Sequence, residues 1–357
     1  MNARLYFTAA MAFEAARQLN HHAMDHRERR LHGHSFLARV RAELPANWAP
    51  FTGIETETLA ERLREVVAPL DYTLLNEHLP TPTDEHLARW IRARLDLPGI
   101  ERVHVQSTRD RGVILNKDDQ VHGWRRFRFE AAHQLPNVSP GHPCGRMHGH
   151  GFEVILRGAE SNDTQLEAAW APLYQQLHLA CLNDVSGLEN PTSERLAAWL
   201  WQRLQPALPE LSRVTVYETA TAGCHYDGSR YRIWKERSFE SALRLNGASI
   251  GDLHRRLHGH SYTLRLYLTA PLDEIMGWTV DYGEVKALFE PFYRQLDHHR
   301  LDELTGLVEP TLAGLLHWIR ERMGAALPSL DRIDLEQTPD CGAILCWNRE
   351  EPALPEQ

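Results

Sequence analysis

Residues 129–150 read FEAAHQLPNVSPGHPCGRMHGH and hold four histidines and one cysteine. His148 and His150 are two apart, so on a β-strand both side chains leave the same face. His133 lies fifteen residues before His148, at the end of an alternating run (Phe127, Phe129, Ala131) that reads as the preceding strand. If the two strands pair, three imidazoles converge. Three histidines with a vacant fourth position suit a catalytic zinc ion rather than a closed structural one. Cys144, four residues before His148, is placed to face that vacancy and is too loop-borne to be an obvious ligand. His142, between Gly141 and Pro143, reads as a surface residue. Any one of the chain's 21 histidines is by itself better read as a surface or core residue. What singles out this set is a His, a Cys and an HxH pair on one hairpin.

The elements that must hold these residues repeat. LHGHSF at 31–36, MHGHGF at 147–152 and LHGHSY at 257–262 mark three copies of one unit. Fifteen residues before the first histidine of each stand Arg17, His133 and Leu243, in FEAAR, FEAAH and FESAL. Each copy continues with an apolar-periodic helix: ETLAERLREVVAPL, LEAAWAPLYQQLH or GEVKALFEPFYRQL. Each then has a Pro-Thr helix start, TPTDEHLARWIRARL, NPTSERLAAWLWQRL or EPTLAGLLHWIRERM, where threonine caps the helix. Glu85 and Glu194 favour the first turn of theirs. A strand pair closes each unit: RVHVQSTRDRGVIL, RVTVYETATAGCHYD and RIDLEQTPDCGAILCW. The pattern is ββααββ three times, with units at 1–121, 122–232 and 233–350 and a frayed tail at 351–357. A four-stranded sheet with bare edges invites association, and three of them can close edge to edge into a barrel. The fold class is α+β.

Bulk properties narrow the function classes. A chain of 357 residues, 43% hydrophobic and 24% charged, has an ordinary globular composition. A net charge of −9 argues against a nucleic-acid surface. No apolar run reaches membrane-spanning length, and Arg4, Glu14 and Arg17 interrupt any signal-peptide core, so a cytoplasmic protein is expected. The five cysteines form no CxxC pair, and no disulfide is expected. Lys117, Lys235 and Lys286 are the only lysines; the arginine bias reads as genome composition.

FEAAHQLP, CGRMHGHGFEV, LENPTSE and ETATAGC resemble the 6-pyruvoyltetrahydropterin synthase family, nearest its bacterial 6-carboxytetrahydropterin synthase branch, over most of residues 124–232. The resemblance implies a tunnelling fold whose subunits trimerise into a twelve-stranded antiparallel barrel with helices outside, two barrels stacking. This chain then looks like a trimer in one polypeptide, and a homodimer would rebuild the usual assembly. It also implies a three-histidine Zn2+ site, a working cysteine, a glutamate that anchors the pterin ring, and an Asp-His pair from a neighbouring subunit. The implied substrate is 7,8-dihydroneopterin triphosphate, and the implied product in the carboxy branch is 6-carboxytetrahydropterin, on the route to queuosine. The pyruvoyl enzyme, or a non-catalytic pterin- or metal-binding barrel, is the alternative.

The copies have diverged unequally. Unit two keeps His133, His148 and His150, Cys144 and Glu218, but reads LHLA where the family has LDHH, and is about nine residues shorter before that point. Unit three keeps Asp297, His298 and His299, but has Leu243, His254 and Gln337 at the ligand, cysteine and glutamate positions. Unit one has Arg17, Glu28 and Ser107 there, with Asp71 alone of the pair, and reads as structural. Taken alone, Asp297 and His298 are a helix-end cluster and Glu218 an ordinary strand glutamate. As complementary survivors they point to one working site per chain, with unit three completing unit two inside the same polypeptide. Thr192 and Thr311 both stand as ring contacts by resemblance. Arg146, Arg255 and Arg256 are placed for phosphate but read more simply as surface charges. His254, His258 and His260 offer a makeshift second metal site.

Overall fold

The computed structural model describes residues 3–20, 26–159 and 163–347; the tail at 351–357 lies outside them. Unit one comprises β1 (Arg4–Arg17), β2 (His32–Ala42), α1 (Glu55–Val67), β3 (Thr73–Leu74), α2 (Asp84–Leu95), β4 (Ile100–Thr108) and β5 (Arg111–Asn116). Unit two comprises β6 (Val121–His133), β7 (His148–Ala159), α3 (Asp163–Leu177), β8 (Ala180–Cys181), α4 (Ser193–Leu204), β9 (Leu211–Thr219) and β10 (Ala222–Tyr226). Unit three comprises β11 (Tyr231–Leu243), β12 (His258–Thr269), α5 (Tyr282–Leu296), β13 (His299–Arg300), α6 (Leu312–Met323), β14 (Leu330–Thr338) and β15 (Cys341–Cys346).

Hydrogen bonding runs β10-β9-β7-β6-β5-β4-β2-β1-β15-β14-β12-β11, and a β10–β11 pairing closes the ring. Twelve antiparallel strands thus form a barrel without edges, as the repeat predicted. Two-residue β3, β8 and β13 add in parallel to β1, β6 and β11, the first strands of the three units. Alternation decides the two faces. Phe36, Ala38 and Val40 of β2 lie in the core under the helices, as do Phe152, Val154 and Leu156 of β7. The intervening residues face the lumen, where Ile114, Trp124, Ile155, Tyr217, Trp234 and Tyr267 form a separate buried cluster. Full burial of each such aromatic ring contributes about 1.5–3 kcal/mol.

The lumen also explains part of the arginine bias that composition left to the genome. Arg39 pairs with Asp340 at 2.9 Å, Arg126 with Glu153 at 2.8 Å and Arg332 with Asp334 at 2.5 Å. A buried charge must be paired to be tolerated, and arginine's planar fork does this well.

The threefold likeness extends to single backbone angles. Tyr72, Leu179 and His298 follow the first helix of each unit at φ of 54°, 60° and 58°. Each donates its N–H to a carbonyl, of Glu14, Glu130 or Glu240, at 2.6 Å. Left-handed non-glycine residues are uncommon, so three in register mark one conserved geometry. All three side chains are exposed, His298 by 78%.

Candidate active site

The β6–β7 hairpin sets His133 directly opposite His148, and the period of two brings His150 onto the same face. The Nε2 atoms of His133 and His150 are 3.2 Å apart, and one ring nitrogen from each of the three lies within 4.8 Å of the others. His133 Nδ1 faces the Pro191 carbonyl at 3.3 Å, and His148 Nδ1 faces that of Arg146 at 2.8 Å. Donation of both Nδ1–H groups fixes the tautomer and leaves the Nε2 lone pairs inward, which is how metal-ligating histidines are oriented. Burial, reinforced by His148 and His150, lowers the His133 pKa to about 4, so its ring is neutral near pH 7. These residues fit a tetrahedral zinc ion with one open position. Among the described residues no other group is so arranged.

Cys144 sits on a short 3-10 turn, Pro143–Gly145. Its N–H donates to His142 Nδ1 at 3.2 Å, and its carbonyl accepts from Leu135 N–H at 2.8 Å. His142, expected at the surface, is partly exposed and has a further role: it caps this turn, and its Nε2 reaches Asp281 of unit three at 3.3 Å. Burial pushes the thiol above its ordinary value, and the nearby Glu218 and Asp281 carboxylates push it further. With these groups alone Cys144 stays a thiol; making a thiolate needs added positive charge.

Glu218 follows the lumen-facing Tyr217 on β9, so it turns outward beneath the start of α4. Burial, then the Glu194 carboxylate, raises its pKa to about 7, opposed by Lys235. Glu194 is the residue the sequence reading missed; it was assigned only a helix-dipole role. Just 1% exposed, it accepts from Thr279 N–H at 2.7 Å and Thr279 Oγ1 at 3.1 Å. The signal available was its place in PTSE, two residues after Thr192.

Unit three closes over this site with residues 273–282 rather than with its helix end. Thr192 caps α4 and donates its hydroxyl to the Gly277 carbonyl at 2.5 Å, and Asn190 Nδ2 donates to that of Met276 at 2.7 Å. Tyr282 places its hydroxyl 2.9 Å from Ser193 Oγ. Thr192 thus lies beside Glu194 and Gly277, whereas Thr311 packs at the unit three/unit one boundary beside Gly53, where an added Cβ would meet it at 3.0 Å.

The sequence profile described as 6-pyruvoyl tetrahydropterin synthase matches three times, at residues 6–117, 122–229 and 232–346. The chain belongs to the 6-pyruvoyl tetrahydropterin synthase family. It is 38% identical over 122 residues to a 6-carboxy-5,6,7,8-tetrahydropterin synthase from Synechocystis, covering 30% of this chain and 93% of that protein. It is 28% identical over 94 residues to a dihydroneopterin monophosphate aldolase from Pyrococcus furiosus, covering 26% of this chain and 79% of that one. The solved 6-pyruvoyl tetrahydropterin synthase of Caenorhabditis elegans is 19% identical at a TM-score of 0.29, covering 31% of this chain and 92% of that one.

One expectation built on the 6-pyruvoyl tetrahydropterin synthase resemblance needs correcting. Asp297 and His298 were expected to meet Cys144 within the chain, and they do not. Asp281, beside His142 and Cys144, caps the start of α5, whereas Asp297 caps its end. Fifteen helical residues rise about 22 Å. Asp297 instead accepts from Glu240 N–H at 3.0 Å and pairs with His298 Nδ1 at 3.0 Å. His298 lines an open depression with Glu240, Ser241, Gly259, His260 and Ser261. The physical reason is that a helix spanning a unit cannot offer both of its ends to one neighbour.

The other two copies of the family site are filled. In unit one Arg17 stands where unit two has His133. It is buried, donates to the Pro82 carbonyl at 3.1 Å, pairs with Asp84 at 2.5 Å and lies 3.4 Å from His34 Nε2. Ser107 donates to Asp84 at 2.6 Å, and Glu28 pairs with Arg111 at 2.6 Å. In unit three His254 is held between Asp252 at 2.7 Å and Glu57 of unit one at 2.9 Å, and among the described residues it does not form a close ligand group with His258 and His260. Arg17→His should therefore recreate a three-histidine site beside Asp84. The variant is expected to bind about one more zinc ion per chain than the wild type, by metal analysis after dialysis; unchanged content would show that Arg17 does not occupy a metal position.

Proposed function

We propose that this chain is a 6-carboxy-5,6,7,8-tetrahydropterin synthase, acting on 7,8-dihydroneopterin triphosphate in queuosine biosynthesis with one Zn2+-dependent site per chain. The observation that carries the reading is the convergence, in unit two alone, of His133, His148 and His150 with Cys144, Glu218 and Thr192. The likeness to the Synechocystis enzyme supports the carboxy branch.

His133, His148 and His150 would hold the ion, which supplies Lewis acidity toward the side-chain hydroxyls of the pterin. The remaining roles belong to the chain. Glu218, as carboxylate, accepts paired N–H groups from the guanidine-like ring edge. The carboxylates bind and orient, while the segment 273–282 excludes water from that end. Cys144 exchanges protons with the substrate side chain once its thiolate is stabilised.

The partner for that proton comes, in this reading, from a second chain. Asp297 orients the His298 imidazole, which stands on an exposed rim with Tyr72 and Leu179 at the equivalent positions. Leu31, Met147 and Leu257, each just before an HGH motif, are also exposed apolar residues. A homodimer of pseudo-trimers apposing these rims would carry His298 of one chain toward Cys144 of the other.

The test is product analysis. Purified chain supplied with dihydroneopterin triphosphate should release a carboxylate-bearing tetrahydropterin, and Cys144→Ala should lower turnover by at least about a hundredfold. A pyruvoyl side chain on the product would move the assignment to the pyruvoyl enzyme. Pterin and metal binding without turnover would leave a binding barrel.

A further inference from the structure

A 3-10 turn recurs in each unit, at Arg27–Arg29, Pro143–Gly145 and Leu253–Arg255, with Glu28, Cys144 and His254 at its centre. The three are held alike. The central N–H donates to the side chain two residues earlier, to His26 Nδ1 at 3.3 Å, His142 Nδ1 at 3.2 Å and Asp252 Oδ1 at 2.9 Å. The central carbonyl accepts from the N–H of Leu19, Leu135 or Leu245 at 2.8–2.9 Å.

What differs is the residue that ties the turn to the next unit. In unit three it is the central one, since His254 reaches Glu57 of unit one at 2.9 Å. In unit one it is again the central one: Arg111 joins Glu28, at 2.6 Å, to Asp163 of unit two, at 2.8 Å. In unit two the tie moves to the capping residue, His142, whose Nε2 faces Asp281 Oδ2 of unit three at 3.3 Å. Unit three holds the same loop at two more points: the Trp278 ring lies 6.1 Å from the His142 imidazole, and Asn137 Nδ2 donates to the Ile275 carbonyl at 2.5 Å. The central position is thereby released for a thiol.

A neutral imidazole between these two partners has one arrangement open to it. Nδ1 accepts from the Cys144 N–H, so the ring proton sits on Nε2, on the side of the Asp281 carboxylate. Neither nitrogen is left with a vacant lone pair, which excludes His142 as the base for the thiol. We infer that His142 is a positioning residue for Cys144, coupling the thiol-bearing turn to unit three through Asp281 so that the cysteine itself is left to face the substrate. The inference deepens the pterin reading and rests on it for the chemistry that the thiol performs. Unit three then serves the unit two thiol within one chain through Asp281, at the opposite end of α5 from Asp297.

The test is a double-variant cycle that spares both caps. His142→Asn keeps a capping side chain on the turn, as Asp252 does in unit three, but is too short to reach Asp281; Asp281→Ser keeps the cap of α5 and loses the imidazole. Each single variant should lower kcat about tenfold with KM little changed, and the double variant should be no worse than either, because both remove one coupling. Two readings need no pterin. Alkylation of half-buried Cys144 by iodoacetamide, with the Cys144→Ala background subtracted and zinc content unchanged, should quicken about threefold in each single variant and no further in the double. The nitrogen-15 spectrum of labelled histidine, with His142 identified by its loss in His142→Asn, should show the ring proton on Nε2 in the wild type and mixed tautomers in Asp281→Ser. Losses that add in the double variant, or a His142 ring unaffected by Asp281→Ser, overturn the role of His142. A wild type that turns over no pterin overturns the proposed function instead, and alkylation and the ring spectrum still decide the histidine.

Discussion

Mixing two inactive variants, Cys144→Ala and His298→Ala, should restore activity. If His298 serves Cys144 of a second chain, a mixed dimer has one intact site, with the thiol from the His298→Ala chain and the imidazole from the Cys144→Ala chain. Random exchange makes half the dimers mixed, each with one of two sites working, so about a quarter of wild-type activity should return. Each variant alone should be at least about a hundredfold down. The assay is steady-state turnover after co-refolding or subunit exchange. No recovery on mixing, with both variants dimeric, would mean that Asp297 and His298 do not reach the thiol from either chain. The prediction follows from the length of α5, which separates Asp281 from Asp297 by about 22 Å and leaves His298 exposed on the rim.

Glu218→Gln is expected to make the protein more stable and a poorer pterin binder. The native carboxyl, raised to about 7 mainly by burial, compares with about 4.3 for an unfolded glutamate. Between those values the unfolded state holds fewer protons than the native one, so stability falls as pH rises from about 4.3 to about 7 and is level above. The cost of the buried charge at pH 8 is then on the order of 3 kcal/mol, and a neutral amide avoids most of it. Denaturant titrations at pH 5 and pH 8 should show the variant gaining mainly at the higher pH. Pterin affinity at pH 8 should drop about a hundredfold, because the carboxylate is what a guanidine-like edge requires. A variant equally stable at both pH values, with wild-type affinity, would show that Glu218 is not a strained acceptor.

The fold was legible because periodicity carried it. Three HGH motifs at equal distance from FEAAR, FEAAH and FESAL defined the hairpins, and the strand register pairs Arg17 with His32, His133 with His148 and Leu243 with His258. The three-histidine group was legible for the same reason, since a period of two and one hairpin turn suffice to place three side chains. Less local features were not. The Glu194–Thr279 contact joins residues 85 apart in sequence, and no spacing rule connects an α4 start to a loop in the next unit. The placement of His298 went wrong because sequence shows which residues survive but not which end of α5 faces which neighbour. The buried arginines were discounted because composition cannot distinguish a solvated guanidinium from one paired inside a barrel, such as Arg332 with Asp334.

Metal stoichiometry bears most directly on the claim that one copy in three does the work. Purified wild-type chain should carry about one zinc ion, and His133→Ala should carry none while retaining its circular dichroism and melting transition. Two or three ions per chain, or one ion that survives His133→Ala, would place metal in the copies that Arg17 and His254 fill and would contradict the account.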